Sequence, residues 1–295
     1  MIITDYSQLA ISTLMAELRG RTDAEISTPL IRHMIINALR SYKVKYGREF
    51  GELVIACDNK HYWRKQMFPF YKANRKKARD TSGFDWNAIF IALNQVKQEL
   101  AENFPYPVVE VDTAEADDVI AGLVVWSQTH DLVQQGLDEV PQPVLILSGD
   151  HDFIQLQRYK NVKQYSPVHK KWIKVDESVD RVLMEHILSG DKGDGVPNFM
   201  SPDDVFVVGG RQTPIRKKDL DLWKDLCIDH WDSTPYANNI KRNSQLIDLH
   251  KVPHDITNSV INNYTSQKNV RDKSQLLNYF IAHKMKNLIE HVTEF

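Results

Sequence analysis

The chain has 295 residues, 42% of them hydrophobic, enough to bury a sizeable core in one large domain or two unequal ones. No run approaches the roughly twenty apolar residues that a membrane-crossing helix needs, and the opening MIITDYSQLA lacks the basic start and cleavage site of a signal peptide, so a cytoplasmic protein is expected. The net charge of −2 neither suggests nor excludes nucleic acid, because a chain-wide sum hides local asymmetry; Cys57 and Cys227 offer no disulfide framework or metal knuckle, and both read as reduced packing residues.

In chain order, Ile2-Ile3-Thr4 is a short apolar run with little alternation, and it leads into Asp5. A helical pattern over residues 30 to 46 follows, then a second run, Leu53 to Cys57, leading into Asp58. Residues 85 to 102 read as helix and Val108 to Val111 as strand. Residues 115 to 129 read as a helix capped by Asp112 or Thr113, with Glu115, Asp117 and Asp118 in its first turn. The run Val144 to Ser148 leads into Asp150 and Asp152. Such alternation predicts an α/β fold with a central, mostly parallel sheet flanked by helices. Ligands of such sheets lie beyond the carboxyl ends of the strands, so these carboxylates are expected to converge. After about residue 176 the pattern turns helical and polar, with a glycine-rich turn, Ser189 to Pro197, that holds Asp191 and Asp194. The expected organisation is a sheet domain over residues 1–180 and a smaller helical domain over 181–295 that lends Asp191 and Asp194 to the first.

Positive charge is concentrated elsewhere. Between Lys60 and Arg79 there are eight Lys or Arg residues and no acid, interleaved with Tyr62, Trp63, Phe68, Phe70 and Tyr71, a mixture suited to phosphate contact and base stacking. The stretch Phe153 to Val175 also lacks acids and carries Arg158, Lys160, Lys163, Lys170, Lys171 and Lys174; with Arg211, Arg216, Lys217 and Lys218 it is a candidate surface for tracking a phosphate backbone. For Lys76, Lys77 and Arg79 a solvated helix face is the plainer alternative.

Nine acids, Asp5, Asp58, Glu115, Asp117, Asp118, Asp150, Asp152, Asp191 and Asp194, thus fall at strand ends and turns. Crowded carboxylates raise one another's pKa unless cations neutralise them, and oxygen ligands without Cys or His select Mg²⁺ or Mn²⁺ over zinc. Two such ions about 4 Å apart would clamp a scissile phosphate, which points to phosphodiester hydrolysis. The eleven histidines are scattered, and His151, between Asp150 and Asp152, reads as a turn residue. Gln275 to Phe280 faintly suggests a sliding-clamp peptide, but the apolar spacing through Ile281, Met285 and Leu288 describes a packed helix more simply.

The motifs Ile2-Ile3-Thr4-Asp5-Tyr6-Ser7, Cys57-Asp58-Asn59, Tyr62-Trp63-Arg64, Tyr71-Lys72-Ala73-Asn74-Arg75, Glu115-Ala116-Asp117-Asp118, Ser148 to Phe153, Ser166 to Trp172 and Gly190 to Asp194 are weak singly. In this order they resemble the flap endonuclease and 5′–3′ exonuclease superfamily of PIN-like nucleases, above all the RNase H of T4-like bacteriophages, along nearly the whole chain. The resemblance implies a two-metal, Mg²⁺-dependent 5′ nuclease, with Mn²⁺ able to substitute. It acts on branched or nicked DNA and RNA·DNA duplexes and removes RNA primers during replication as a monomer, with a single-strand-binding protein or a sliding clamp as the expected partner.

The resemblance also implies that Asp5, Asp58, Glu115, Asp117 and Asp150 surround the first ion, directly or through water, and that Asp152, Asp191 and Asp194 serve the second; Asp118 is either a ligand or a helix cap. The basic stretch at about residues 60–80 corresponds to a helical arch, in which Lys72 and Arg75 reach the scissile or adjacent phosphate, Tyr71 stacks on the terminal base and Arg64 is a further contact. Val208 to Thr213 departs from the Gly-x-Gly-Lys-Thr-Ala pattern of many relatives, which puts their monovalent-ion site in doubt here. A PIN-type ribonuclease shares the acidic crevice but usually lacks the basic stretch and the helical second half; a catalytically inactive DNA-binding module is favoured only by loss of key acids, and all nine are present.

Overall fold

The computed structural model describes residues 1–18, 20–21, 26–268 and 273–295; the side chains of residues 77 and 78, and with them the reading of Lys77, lie outside the described part. The chain runs β1 (Ile2–Asp5), α1 (Tyr6–Leu18), α2 (Thr28–Phe50), β2 (Leu53–Ala56), α3 (Trp63–Met67), α4 (Asn74–Asp80), α5 (Trp86–Asn103), β3 (Val108–Val109) and α6 (Ala116–His130). There follow β4 (Leu132–Gln135), β5 (Asp138–Pro141), β6 (Val144–Leu147), a 3₁₀ segment (His151–Arg158), β7 (Val162–Ser166), β8 (Lys171–Ile173) and α7 (Val179–Ser189). The last part is α8 (Lys217–Trp223), α9 (Ala237–Ile247), α10 (His254–Gln267), α11 (Leu276–Ala282) and α12 (Lys286–Ile289).

The central sheet has the order β3-β2-β1-β6-β7-β8, parallel except for the β7–β8 pair. Every residue of β1, β2 and β6 is buried, which is why these runs show no alternation. Ile2, Leu53, Ile55, Leu145 and Leu147 face one apolar layer, with α1, α2 and α5. Ile3, Val54, Ala56, Val144 and Ile146 face the other, with α6 and α10.

The predicted helices are present, and their ends follow local chemistry. Ser27 accepts a hydrogen bond from the Leu30 amide at the start of α2, beside Pro29. Asp85 does the same for Ala88 in α5. The cap of α6 is neither Asp112 nor Thr113 but Glu115, whose amide donates to Asp118 Oδ2 at 2.9 Å. The sequence reading missed the hairpin β4–β5 and the strands β7 and β8, where charged and polar side chains interrupt the apolar pattern. Cys57 is buried as expected, whereas Cys227 is exposed.

Residues 184–247 build a third apolar cluster with Phe68 and Tyr71, and from Leu249 onward the chain returns to the sheet. In α11, Leu276, Tyr279 and Phe280 are buried against the α1–α2–α5 face. The tie there is polar as well: Arg32 in α2 makes a two-pronged pair with Glu99 in α5, both contacts at 2.6 Å, and Tyr279 donates to the same carboxylate at 2.7 Å.

Burial pushes the Glu99 carboxyl up, but the hydrogen bonds from Arg32 and Tyr279 outweigh it and hold the group below the ordinary range. A depressed folded-state pKa contributes stability that is present above the unfolded value and lost as pH falls through the folded one. Glu99→Gln is therefore expected to lower the melting temperature at pH 7, and the gap from the parent protein should narrow on acidification below about pH 4. Thermal melts from pH 3 to 7 check this; a gap independent of pH would show that the ion pair is not the source.

Candidate metal centre

β1, β2 and β6 are neighbours in parallel register, with Asp5 opposite Ala56 and Thr4 opposite Leu147, so Asp5, Asp58 and Asp150 emerge at the same carboxyl edge of the sheet. The first turn of α6 closes that edge. Asp58 Oδ1 accepts the Ala116 amide at 3.0 Å and so holds the start of α6 over the strand ends. Asp150 Oδ1 accepts the Asp152 amide at 3.0 Å and starts the 3₁₀ segment.

Few cations reach these acids. Among the described residues Asp5 Oδ1 accepts only the Gln8 amide, at 2.9 Å, and no hydrogen bond reaches the Asp117 carboxylate. Burial, then repulsion from Asp58 and Asp150, raises the Asp5 carboxyl to about 7. Burial, then the charge of Asp150, pushes Asp117 well above the usual carboxylate range. These side chains lie close enough to destabilise one another's charge, an arrangement that an added cation relieves.

Glu115 and Asp118 differ. Both are fully enclosed, and Arg64, itself 2% exposed, pairs with Glu115 Oε2 and Asp118 Oδ1 at 2.8 Å each while its Nε donates to the Leu246 carbonyl at 2.8 Å. Trp63 donates to Asp118 Oδ2 at 3.1 Å. Glu115 also takes the ammonium of Lys72 and the hydroxyl of Tyr71, at 3.0 Å to Oε2. Asp118, expected as ligand or cap, caps α6: its Oδ2 accepts from Trp63 and the Glu115 amide, while its Oδ1 lies beside the Arg64 guanidinium without an aligned hydrogen bond among the described residues. Arg64, expected to touch nucleic acid, is the buried counter-ion of this pair.

Tyr71 needs the same correction. The residue is 2% exposed, within the third apolar cluster, and its one hydroxyl proton is shared between Asp194 Oδ2 at 2.7 Å and Glu115 Oε2 at 3.0 Å, so as placed it has no free face for a terminal base. The basic stretch folds as α3 and α4, joined by a tight loop in which Lys72 adopts φ 55° and its amide donates to the Asp194 carbonyl at 2.7 Å. Lys72 and Arg75 both pair with the Asp194 carboxylate, and Arg75 is 47% exposed at the mouth of the site.

The turn after α7 completes the group. Gly190 has φ +68°, and a Cβ there would lie 2.4 Å from the Val196 carbonyl, so only glycine permits the close return of the chain that pairs Asp191 with Val196. Asp191 Oδ1 accepts the Asp194 amide at 2.9 Å. His186, in the last turn of α7, sits between two acids: Nδ1 is 3.2 Å from Asp152 Oδ1 and Nε2 is 3.3 Å from Asp191 Oδ2. Despite that approach the buried Asp152 Oδ1 has no aligned hydrogen-bond donor.

Burial, opposed by His186 and reinforced by Asp150, takes Asp152 up to about 7. Asp191 is held down at about 2, where His186 and the Asp194 amide overcome its burial. For His186, burial works against the charged form, but the two aspartates prevail and raise it to about 8. Asp152, His186 and Asp191 offer donor atoms all within 4.8 Å of one another, a spacing that fits a metal ion. The sequence reading passed over His186; its position five residues before Asp191, at the end of a helix leading into the turn, was the available signal.

Comparison with known proteins agrees with this architecture. A family model described as the 5′-3′ exonuclease, N-terminal resolvase-like domain matches residues 21–183, and one described as the T4 RNase H C-terminal domain matches residues 177–295. The chain is 33% identical to the Ribonuclease H of Enterobacteria phage T4, over 99% of this chain and 95% of that protein. It is 30% identical to the Flap endonuclease Xni of Shewanella pealeana, over 46% of this chain and 48% of that one.

Among solved structures, the bacteriophage T5 flap endonuclease, captured as a pseudo-enzyme-product complex with DNA and metal ions, superimposes with a TM-score of 0.61 at 15% identity, covering 90% of this chain and 98% of that one. T5 5′-exonuclease with bound zinc superimposes with a TM-score of 0.60 at 14% identity, over the same shares. The sheet topology, the acidic edge and the near-full-length match to a phage ribonuclease H together place this chain in the 5′–3′ exonuclease family, with a C-terminal part of the T4 RNase H type.

Proposed function

We propose that this protein is a Mg²⁺-dependent 5′ nuclease that hydrolyses phosphodiester bonds of branched or nicked DNA and of RNA·DNA duplexes, removing RNA primers in lagging-strand replication, with Mn²⁺ able to replace Mg²⁺. The observation that carries the reading is a set of carboxylates at three parallel strand ends that repel one another and have too few cationic partners. The donors fit hard divalent ions: Asp5, Asp58, Asp117 and Asp150 would hold one, and Asp152, Asp191 and Asp194 would serve the other, directly or through a bridging group. When bound, such ions activate water and stabilise the leaving oxygen.

The chain's own groups do the rest. Lys72 and Arg75, both paired with Asp194, are placed to exchange that carboxylate for a phosphate oxygen at the mouth of the site. Glu115 orients the Lys72 ammonium, and the pair with Arg64 fixes the Glu115 side chain. The DNA bound to the T5 relative supports the substrate class. No helix among the described residues is long and apolar enough to cross a membrane.

The test is cleavage of a 5′-labelled flap and of a nicked RNA·DNA duplex by purified protein, with Mg²⁺ or with EDTA. Magnesium-dependent release of 5′ products is expected; binding without cleavage in every divalent ion removes the nuclease reading. In the same assay Lys72→Ala is expected to lower kcat by about a hundredfold with a much smaller change in KM, the signature of an interaction made in the transition state. A change confined to KM would make Lys72 a binding residue only.

A further inference from the structure

A side chain of a different chemical type stands inside the acidic group. His186 is the nitrogen donor in a set of three side chains whose donor atoms lie within 4.8 Å of one another, and its two contacts, 3.2 Å to Asp152 and 3.3 Å to Asp191, match the roughly 3 Å between adjacent ligands of an ion bound at about 2.1 Å. The two contacts differ in kind. Asp191 is already satisfied by the Asp194 amide on one oxygen, and its other oxygen faces His186 Nε2. Among the described residues Asp152 Oδ1 is buried without an aligned donor and lies 3.2 Å from Nδ1, so a cation seated between them would take both atoms as ligands. A histidine that binds a metal through one nitrogen commonly donates the other N–H to a carboxylate.

We infer that His186 supplies a nitrogen ligand to the ion held by Asp152, binding through Nδ1 while Nε2–H is oriented by Asp191, and that this makes the second ion site prefer Mn²⁺ over Mg²⁺. The chemistry behind the preference is ligand softness: imidazole suits the transition ions, whereas Mg²⁺ demands oxygen and gives up its water reluctantly. The other ion site, at Asp5, Asp58, Asp117 and Asp150, has only carboxylates and carries no such preference. A cleft lined by His151, Val182, Glu185 and Ser189 opens onto the His186 ring. The assignment rests on the metal-dependent nuclease reading.

The experiment uses the full chain loaded with Mn²⁺, read by pulsed electron paramagnetic resonance for ¹⁴N coupling and by calorimetric titration, so neither readout depends on activity. Wild type is expected to show imidazole coupling at one of two ions. His186→Gln and His186→Asn should lose the coupling and weaken Mn²⁺ at that site roughly tenfold to a hundredfold, the range seen even for supporting partners of a metal ligand, with a change in Mg²⁺ affinity below about threefold. His151→Gln, at the exposed neighbour, should retain the coupling. Bound Mn²⁺ without nitrogen coupling in wild type, or coupling that survives in both His186 variants, overturns the assignment and leaves the nuclease reading standing. Absence of any Mn²⁺ binding removes both.

Discussion

Replacing Asp150 by Asn is expected to reduce turnover by at least about a thousandfold while leaving binding of a flap substrate within a few-fold of the parent. Asp150 stands at the end of β6 between the two groups of acids: its charge weighs on Asp5 and Asp117 on one side and on Asp152 on the other. Asparagine keeps the shape and can still accept the Asp152 amide, so the turn that Asp150 starts should survive. What is lost is one negative charge at the proposed ion sites, and each 1.36 kcal/mol of lost transition-state stabilisation is tenfold in rate. Asp117→Asn should behave alike, since that carboxylate has no hydrogen bond to lose among the described residues. Single-turnover cleavage beside a fluorescence-anisotropy titration separates the two quantities. Turnover within tenfold of the parent in both variants would dismantle the proposed ion sites; parallel loss of binding would mean instead that these acids organise the substrate surface.

The second large effect concerns stability. Arg64→Ala is expected to destabilise the fold by about 3–5 kcal/mol, because among the described residues it leaves the buried Asp118 without a cationic partner and Glu115 with Lys72 alone, and also frees the Leu246 carbonyl. For a chain of this size that corresponds to a fall in melting temperature on the order of 10 °C. Arg64→Lys should recover only part of it, since a single ammonium cannot serve two carboxylates and a carbonyl in a fixed fork. Lys163→Ala is the contrast: its pair with Glu49 is half exposed on both sides and should contribute less than about 1 kcal/mol. If Arg64→Ala and Lys163→Ala melt alike, the interior network is not a stabilising element, and the enclosed acids must be held neutral instead.

The same network explains how much of the site was legible beforehand. Apolar runs without alternation identify buried parallel strands, and an acid just past each run falls at the ligand-binding edge, so Asp5, Asp58, Asp117 and Asp150 followed from local pattern and the geometry of parallel sheets. The basic, aromatic stretch was visible for the same reason, as composition. Which charges face water and which face one another was not visible, because partners lie far apart in the chain: Arg64 meets Glu115 after 51 residues and the Leu246 carbonyl after 182.

That long-range pairing turned Asp118 from a candidate ligand into a structural acid, took Arg64 and Tyr71 out of the nucleic-acid surface, and set the His186 imidazole between two aspartates. β7 and β8 escaped for a related reason. β7 lies between β6 and the edge strand β8; lysines and a glutamine break the apolar pattern in this pair, and only the pairing of β7 with β6 and of β8 with β7 makes them strands. Periodicity and residue type, which act over a few residues, thus determined the sheet, the helices and the acidic edge. The pairing of buried charges depends on desolvation and on distances across the fold, and only the tertiary structure decided it.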